Sequence, residues 1–376
     1  MILPATILVI SVLLMLAYAL LIRRYDDAFT KSRKNFSIAD TEATQLVTVI
    51  IPARNESANI KACLSALMAQ TYPRSLMEII VVDDLSEDDT AEIVKNFPVK
   101  LIRNNPKPGT IAFKKQAIAT GISQASGALI LTTDADCIVA NTWVSTMVNT
   151  LQSQRAYMVT GPVKMMPGNQ CLSMFQSLDF AILQGITAAS VGSGIHDMSS
   201  GANLAYIKSF YHEVGGFNGI DDIASGDDML LMQKFSVQYP GSIGYAFSTD
   251  AMVNTKTEPT WKLFLQQRIR WASKATKYKD PVLFRILLLV YAVNLWVVAL
   301  LVMGLWNRRA FVFGLILMII KLMIEWRFVQ NVLQFFSLLP LMRWFPIAQP
   351  LHILYTVVSG FFGQAGGYRW KGRNVK

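Results

Sequence analysis

The sequence predicts an α/β domain on a mostly parallel, Rossmann-like sheet, set between an N-terminal transmembrane helix and a C-terminal group of transmembrane helices. Three observations predict it. Apolar runs long enough to cross a bilayer, roughly 20 residues, lie at both ends of the 376-residue chain. Between them, short runs rich in Val, Ile and Leu alternate with stretches of helical spacing, the pattern of βα units. Acidic clusters follow two of the short runs directly, at the strand ends where open α/β sheets bind ligands.

Taken in order, residues 2–22 are apolar and stop at Arg23-Arg24, so 1–22 is expected to be a retained membrane helix. A cleaved signal peptide fits less well. There is no basic leading segment, the apolar stretch is too long, and no small-x-small cleavage site follows. Residues 23–43 are polar and read as a linker. The α/β domain occupies 44–255, with strands expected at 46–51, 78–82, 99–103 and 128–132 and helices at 56–70, 89–96 and 114–123. Residues 256–281 read as an interfacial helix, basic and anchored by Trp261 and Trp271.

A membrane region at 282–376 follows, with spans expected at about 282–305, 310–327 and 350–366. Lys321 and Glu325, four apart, are spaced to pair on the bundle side. Residues 332–347 are apolar but interrupted by Pro340, Arg343 and Pro346, and read as interfacial or re-entrant.

Composition narrows the function classes. A net charge of +10 is compatible with nucleic-acid binding, but the basic residues gather beside the apolar runs. Arg23, Arg24, Lys31, Arg33 and Lys34 follow the first, and Lys274, Lys277 and Lys279 precede the second. That is the pattern of a cytoplasmic membrane face, so a multi-pass inner-membrane protein with a cytoplasmic domain and no nucleic-acid partner is expected. Three cysteines without CxxC spacing and three scattered histidines argue against a disulfide framework and a His-rich zinc site.

Five segments carry candidate chemistry. Pro52, Arg54 and Glu56 follow the first strand, where backbone and Arg54 can meet a nucleotide at a helix N-terminus, or where Asn55 and Glu56 cap an ordinary turn. Asp83 and Asp84 end the second strand, where carboxylates accept from a base or a ribose, or cap. Asp134-Ala135-Asp136 places alternate carboxylates around a small residue, a hard-oxygen set for Mg²⁺ or Mn²⁺ shared with phosphates; Lys114 or Lys115 can offset a diphosphate. Asp227 and Asp228 open a helix, with Ser225 and Asp228 at capping-box spacing, and an ionised aspartate there can also act as a general base. Gln267, Arg270 and Trp271 share one helix face, suited to phosphate and sugar, or to anchoring at a membrane surface.

In order, Pro52–Glu56, Val82-Asp83-Asp84, Lys114-x-x-Ala117, Asp134-Ala135-Asp136, Gly201-Ala202-Asn203, Gly215-Gly216-Phe217, Asp227-Asp228 and Gln267-x-x-Arg270-Trp271 resemble the membrane-bound family 2 glycosyltransferases of GT-A fold. That family includes cellulose, hyaluronan and poly-N-acetylglucosamine synthases and ceramide glucosyltransferase. The resemblance covers roughly 46–275 and implies Asp136 as metal ligand, Asp134 as metal or nucleotide contact, Asp83 or Asp84 at the base or ribose, and Asp228 as general base. Gly201, Asn203, Gln267, Arg270 and Trp271 would face the acceptor and diphosphate. The chain departs twice: Asp227 stands where the family has glutamate, and Leu85 where it has glycine.

The implied activity is inverting transfer from a nucleotide-diphosphate sugar, UDP-linked, to a membrane lipid or lipid-linked acceptor. The alternatives are a processive polysaccharide synthase and an inactive membrane scaffold. Nucleotidyl transfer also joins such a sheet to a metal, but gives no reason for Gln267-x-x-Arg270-Trp271 beside a span.

Overall fold

The structure is a computed structural model and describes residues 2–38, 43–106, 110–365, 368–370 and 373–375. Residues 39–42 of the expected linker, and 366–367, 371–372 and 376 of the expected membrane region, lie outside the described residues. The chain divides into two compact units. Met1–Lys31, Pro167–His196 and Thr257–Tyr368 form a helical unit; Ser32–Met166, Asp197–Lys256 and Arg369–Lys376 form an α/β unit.

Helix α1 (Ile2–Asn35) opens the chain and runs thirteen residues past Ile22, so the first part of the expected linker, residues 23–35, is helical. The α/β unit then begins with β1 (Val47–Ala53), α2 (Ile60–Met68), β2 (Met77–Asp83), α3 (Thr90–Val94), β3 (Lys100–Arg103), α4 (Phe113–Ser123) and β4 (Leu129–Thr132). These are the four strands and three helices expected from the sequence, with ends shifted by a few residues. The largest shift is at α2, which starts at Ile60 because Asn55 takes a left-handed φ of 52° and turns the chain first.

β1, β2 and β4 are buried almost throughout, as strands covered on both faces are. They pair in parallel, and their register aligns Ala53 with Asp83, Asp83 with Arg103, and Ile50 with Thr132. The carboxyl ends of these strands therefore share one edge of the sheet.

The second half was less visible in sequence: β5 (Ile138–Val139), α5 (Trp143–Ser153), β6 (Met158–Thr160), β7 (Val163–Met165), α6 (Cys171–Ser193), β8 (Leu204–Ile207), α7 (Lys208–Glu213), α8 (Met229–Gln238), β9 (Ile243–Tyr245) and β10 (Val253–Thr255). The seven-stranded sheet has the order β3-β2-β1-β4-β8-β6-β9, in which β8 alone runs antiparallel to both neighbours. A small sheet, β5-β10-β7, stands apart from it.

In the helical unit, α6 is joined by α9 (Trp261–Ala272), α10 (Pro281–Met303), α11 (Arg308–Phe335) and α12 (Phe345–Ala365). Asp280 caps α10 through the N–H groups of Val282 and Leu283, with Pro281 in the first turn where a missing N–H costs nothing. Three helices among the described residues are long and apolar enough to cross a membrane: Ala5–Asn35, Pro281–Met303 and Leu339–Gln364. On α1, Leu8, Val12, Leu13, Leu16 and Leu20 all stand exposed, an apolar face suited to lipid.

α11 is one continuous helix through the expected span 310–327 and on to Phe335, and it is not among those three. Lys321 and Glu325 interrupt its apolar character, and they pair as their spacing predicts, Nζ to Oε1 at 2.6 Å. Gln349 of α12 bonds both partners and the Tyr18 hydroxyl of α1 donates to Glu325, so the buried charges are fully hydrogen-bonded. Within 332–347, expected to be interfacial or re-entrant, a 3-10 turn at Leu339–Trp344 leads directly into α12.

Candidate active site

The acidic clusters of the α/β unit sit on one sheet edge because β1, β2 and β4 end there. The first two loops interlock. The Arg54 guanidinium, nearly buried, donates through Nη1 to the carbonyls of Asp84 and Leu85, both at 2.7 Å, and through Nη2 to Glu87 at 3.1 Å. Asn55 exchanges bonds with this loop, accepting from the Glu87 N–H at 2.8 Å, and the Glu56 N–H donates to Thr90 Oγ1 at 2.7 Å. Arg54 and Glu56 thus brace the loop, while Pro52 lies within β1 opposite Val82.

Asp83 and Asp84 are both buried. The Ser86 N–H donates to Asp83 Oδ1 at 3.1 Å, and Asn104 Nδ2 donates to Asp84 Oδ1 at 2.8 Å. Between them and Ser86, Leu85 holds a φ of 59°, the left-handed region that glycine tolerates best. The leucine departure leaves the left-handed turn in place.

Asp134 and Asp136 are half-buried around the buried Ala135. Two thiols back this turn: Cys63 donates to the Asp134 carbonyl at 3.7 Å and Cys137 to Asp136 Oδ1 at 3.5 Å. Burial, with the charges of Asp136 and Asp134, pushes the Cys63 thiol up to about 12, so it stays a protonated donor. Nothing in the spacing of the cysteines signalled this role.

Lys114, from the start of α4, joins two clusters. Its Nζ lies 2.7 Å from Asp134 Oδ1 and 3.1 Å from Asp227 Oδ2. Burial would depress this ammonium, but Asp134, Asp227 and Asp228 outweigh it and raise it above its ordinary value. Lys115, the other candidate, is buried and donates instead to the carbonyls of Ile220 and Ile223 at 2.6 and 2.7 Å, tying down the loop before the third cluster.

Gly226, at φ 77°, turns the chain so that the next two carboxylates diverge. Asp227 faces Lys114. Asp228 is the N-cap of α8, accepting from the Met229 N–H at 2.7 Å through Oδ1 and from the Gly201 N–H at 2.9 Å through Oδ2. The cap is Asp228 itself and not Ser225, which corrects the capping-box spacing read from sequence.

Gly201 is required by this arrangement. A Cβ there would lie 2.8 Å from Asp227 Oδ2 and 3.2 Å from Lys114 Nζ. Asn203 stands behind the site: it is fully buried, accepts from Trp143 Nε1 at 2.8 Å, and donates to the carbonyls of Pro162 and Ala251 at 2.9 and 2.8 Å. Its amide knits β8 to the small sheet instead of facing a ligand.

Gln267, Arg270 and Trp271 belong to the helical unit, on α9. Gln267 donates to Glu258 Oε1 at 2.9 Å, and Trp271 packs against Phe180 with ring centroids 5.8 Å apart. Arg270 is half-buried and forms no ion pair among the described residues. The buried cation of this helix is Arg268, which the motif leaves unspecified. Its signal in the sequence was the four-residue step from Phe264, the apolar face of the helix.

The profile of the family described as glycosyl transferase family 2 matches residues 48–211. Glycosyltransferase AglE of Haloferax volcanii is 36% identical over 33% of this chain and 41% of its own length. A probable glycosyltransferase of Bacillus subtilis, YdaM, is 27% identical over 60% of this chain and 54% of its own. The poly-beta-1,6-N-acetyl-D-glucosamine synthase of Staphylococcus epidermidis is 25% identical over 60% and 53%. The chain thus spans about half the length of the curated relatives it matches. Among solved structures, the mannosyltransferase PcManGT from Pyrobaculum calidifontis, in complex with GDP-Man and Mn²⁺, aligns over 93% of this chain and 97% of its own, with a TM-score of 0.53 at 17% identity. The GT-A fold expected from sequence is the observed one.

Proposed function

We propose that the chain, whose residues 48–211 match the profile of glycosyl transferase family 2, is an inverting glycosyltransferase. It takes a sugar from a nucleotide-diphosphate donor, UDP-linked, and delivers it to a membrane lipid or lipid-linked acceptor at the cytoplasmic face of the membrane. The observation that carries this reading is the Lys114 bridge, which brings the Asp134–Asp136 pair and the Asp227–Asp228 pair to one locus at the strand ends.

The donor set suits a divalent cation shared with a substrate. Asp134 and Asp136 offer hard carboxylate oxygens, while no group of three His, Cys, Asp or Glu among the described residues makes a site by itself. Mg²⁺ accepts that division, one or two carboxylates with phosphate oxygens completing the shell. Asp136, with Asp134, would hold Mg²⁺ or Mn²⁺, which when bound would offset charge on the departing diphosphate.

The residues divide the remaining work. Lys114 supplies positive charge to the diphosphate. Asp83 and Asp84, steadied by Ser86 and Asn104, address the nucleoside. Asp228, oriented by two backbone N–H groups, takes the proton of the acceptor hydroxyl as the oxygen attacks the anomeric carbon and the nucleoside diphosphate leaves. Asp227 holds Lys114 in register. Gln267 and Trp271 receive the acceptor.

A processive synthase is the second reading, favoured by the similarity to the poly-beta-1,6-N-acetyl-D-glucosamine synthase. One experiment separates the two. The purified chain, reconstituted with total membrane lipid, is given UDP-glucose, UDP-N-acetylglucosamine or GDP-mannose singly, and products are resolved by mass. A lipid gaining one sugar supports the first reading and a ladder the second. No incorporation from any donor, with the chain folded, rejects both.

A further inference from the structure

Arg268 occupies an open position of the Gln267-x-x-Arg270-Trp271 sequence, yet it is the most buried residue of that stretch, 4% exposed. Its guanidinium works in three directions. Nη1 donates to Gln267 Oε1 at 2.9 Å, and Nη2 donates to Asp179 Oδ2 at 2.9 Å. The plane stands over the Trp271 ring, 4.3 Å from its centroid, with Phe264 at 4.8 Å on the same helix. We propose that Arg268 is a positioning residue, fixing Gln267 and Trp271 for the transfer reaction. The inference rests on the acceptor role given to those two residues above.

The physical case lies in what is held and by what. A glutamine amide turns broadly about its last torsion. Here it is held at both ends, by Arg268 at the oxygen and by Glu258 at the nitrogen. The Trp271 ring gains a cation on its face in a buried setting, an attraction that fixes its plane.

Arg268 is itself fixed by Asp179 of α6, whose other oxygen accepts from the Tyr355 hydroxyl at 2.6 Å and from His352 Nδ1 at 2.9 Å, both on α12. Three helices of the unit therefore converge on one carboxylate, and Arg268 supplies its ion pair with α9. A lysine brings the charge but not the planar fork, so it can meet Asp179 or Gln267 and not stack while meeting both.

The test is a double-mutant cycle in the reconstituted chain, read as labelled sugar transferred to lipid from whichever donor above supports incorporation. Arg268→Lys lowers kcat about 10–100-fold, the usual cost of removing a support behind a working residue, with the donor KM within about twofold. In the Gln267→Ala, Trp271→Ala background the same change costs less than about twofold, because the residues it serves are gone.

If Arg268→Lys does not fold, as its melting will show, Asp179→Asn is the perturbation and the same coupling is expected. Wild-type kinetics for the single variant, or an equal loss in both backgrounds, overturns the proposal alone. Wild-type transfer by the Gln267→Ala, Trp271→Ala chain removes the acceptor role of the motif, and the proposal with it.

Discussion

Asp227 and Asp228 are adjacent, both acidic, and both part of the same turn, yet the structure gives them different partners, and this makes their exchange for asparagine informative. In Asp228→Asn the cap survives, since asparagine caps as well as aspartate. One oxygen still accepts from Met229, while the Gly201 N–H at 2.9 Å loses its charged acceptor. That cost is about 1–2 kcal/mol. Removal of a general base lowers turnover about 10²–10⁴-fold with donor binding little changed.

In Asp227→Asn the loss is electrostatic. At 3.1 Å and an effective dielectric near 20, the Lys114–Asp227 attraction is about 5 kcal/mol gross. Desolvation cancels most of it, and a net loss of about 2 kcal/mol remains, or about 4–8 °C in melting for a unit of this size. Lys114 keeps Asp134 at 2.7 Å, so turnover falls less than in the other variant. The assay is labelled-sugar transfer beside thermal melting for both proteins. If folded Asp227→Asn is nearly inert while Asp228→Asn retains transfer, the base has been assigned to the wrong aspartate.

Four further outcomes are expected. Asp136→Asn, folded as wild type, loses transfer, and excess chelator abolishes wild-type turnover; transfer undiminished in both tests would remove the metal role. Gly201→Ala forces a Cβ to 2.8 Å from Asp227 Oδ2, so it should destabilise by about 1–3 kcal/mol and lower transfer more than tenfold, read by melting and rate. Leu85→Gly relieves a left-handed leucine at φ 59°, and should be neutral or stabilising by up to about 1 kcal/mol in melting, where a loss above about 2 would contradict the turn. Burial raises the Asp179 carboxyl, but Arg268, His352 and Tyr355 outweigh it and hold it at about 2. Since the folded value lies below the unfolded one, this stability, about 2 kcal/mol, is complete above pH 4 and is lost as the pH falls toward 2. Acid melting of Asp179→Asn should lack that component.

The first four strands were legible because each holds a short run of Val, Ile or Leu between helical spacings, and two of the acidic clusters were legible because they directly follow such runs. The later strands have two to four residues each and lie beside short turns, too little sequence for a period to emerge. At the site, the kinds of residue were readable and their partners were not. Lys114 and Lys115 are neighbours in sequence, and only the turn of α4 sends one to Asp134 and the other to the Ile220 and Ile223 carbonyls. Asn203 sits in a motif with Gly201, but it lies just before β8, where its buried amide donates to the Pro162 and Ala251 carbonyls. Arg268 escaped because its one signal, the four-residue step from Phe264, falls on a charged residue that an apolar period does not count.

Lys114 has a consequence for the order of events. With its ammonium lodged between Asp134 and Asp227, the acidic locus carries an internal counterion. A divalent ion arriving alone meets Asp134 already half neutralised and gains less there than at a bare carboxylate pair. A diphosphate gives the ammonium a second place to go, and each Lys114–carboxylate contact it loosens returns negative charge to the ion's side. Ion and donor then favour each other's binding, and by linkage the favour is equal in both directions. On the proposed function, such a site would hold its metal more tightly while the donor is bound.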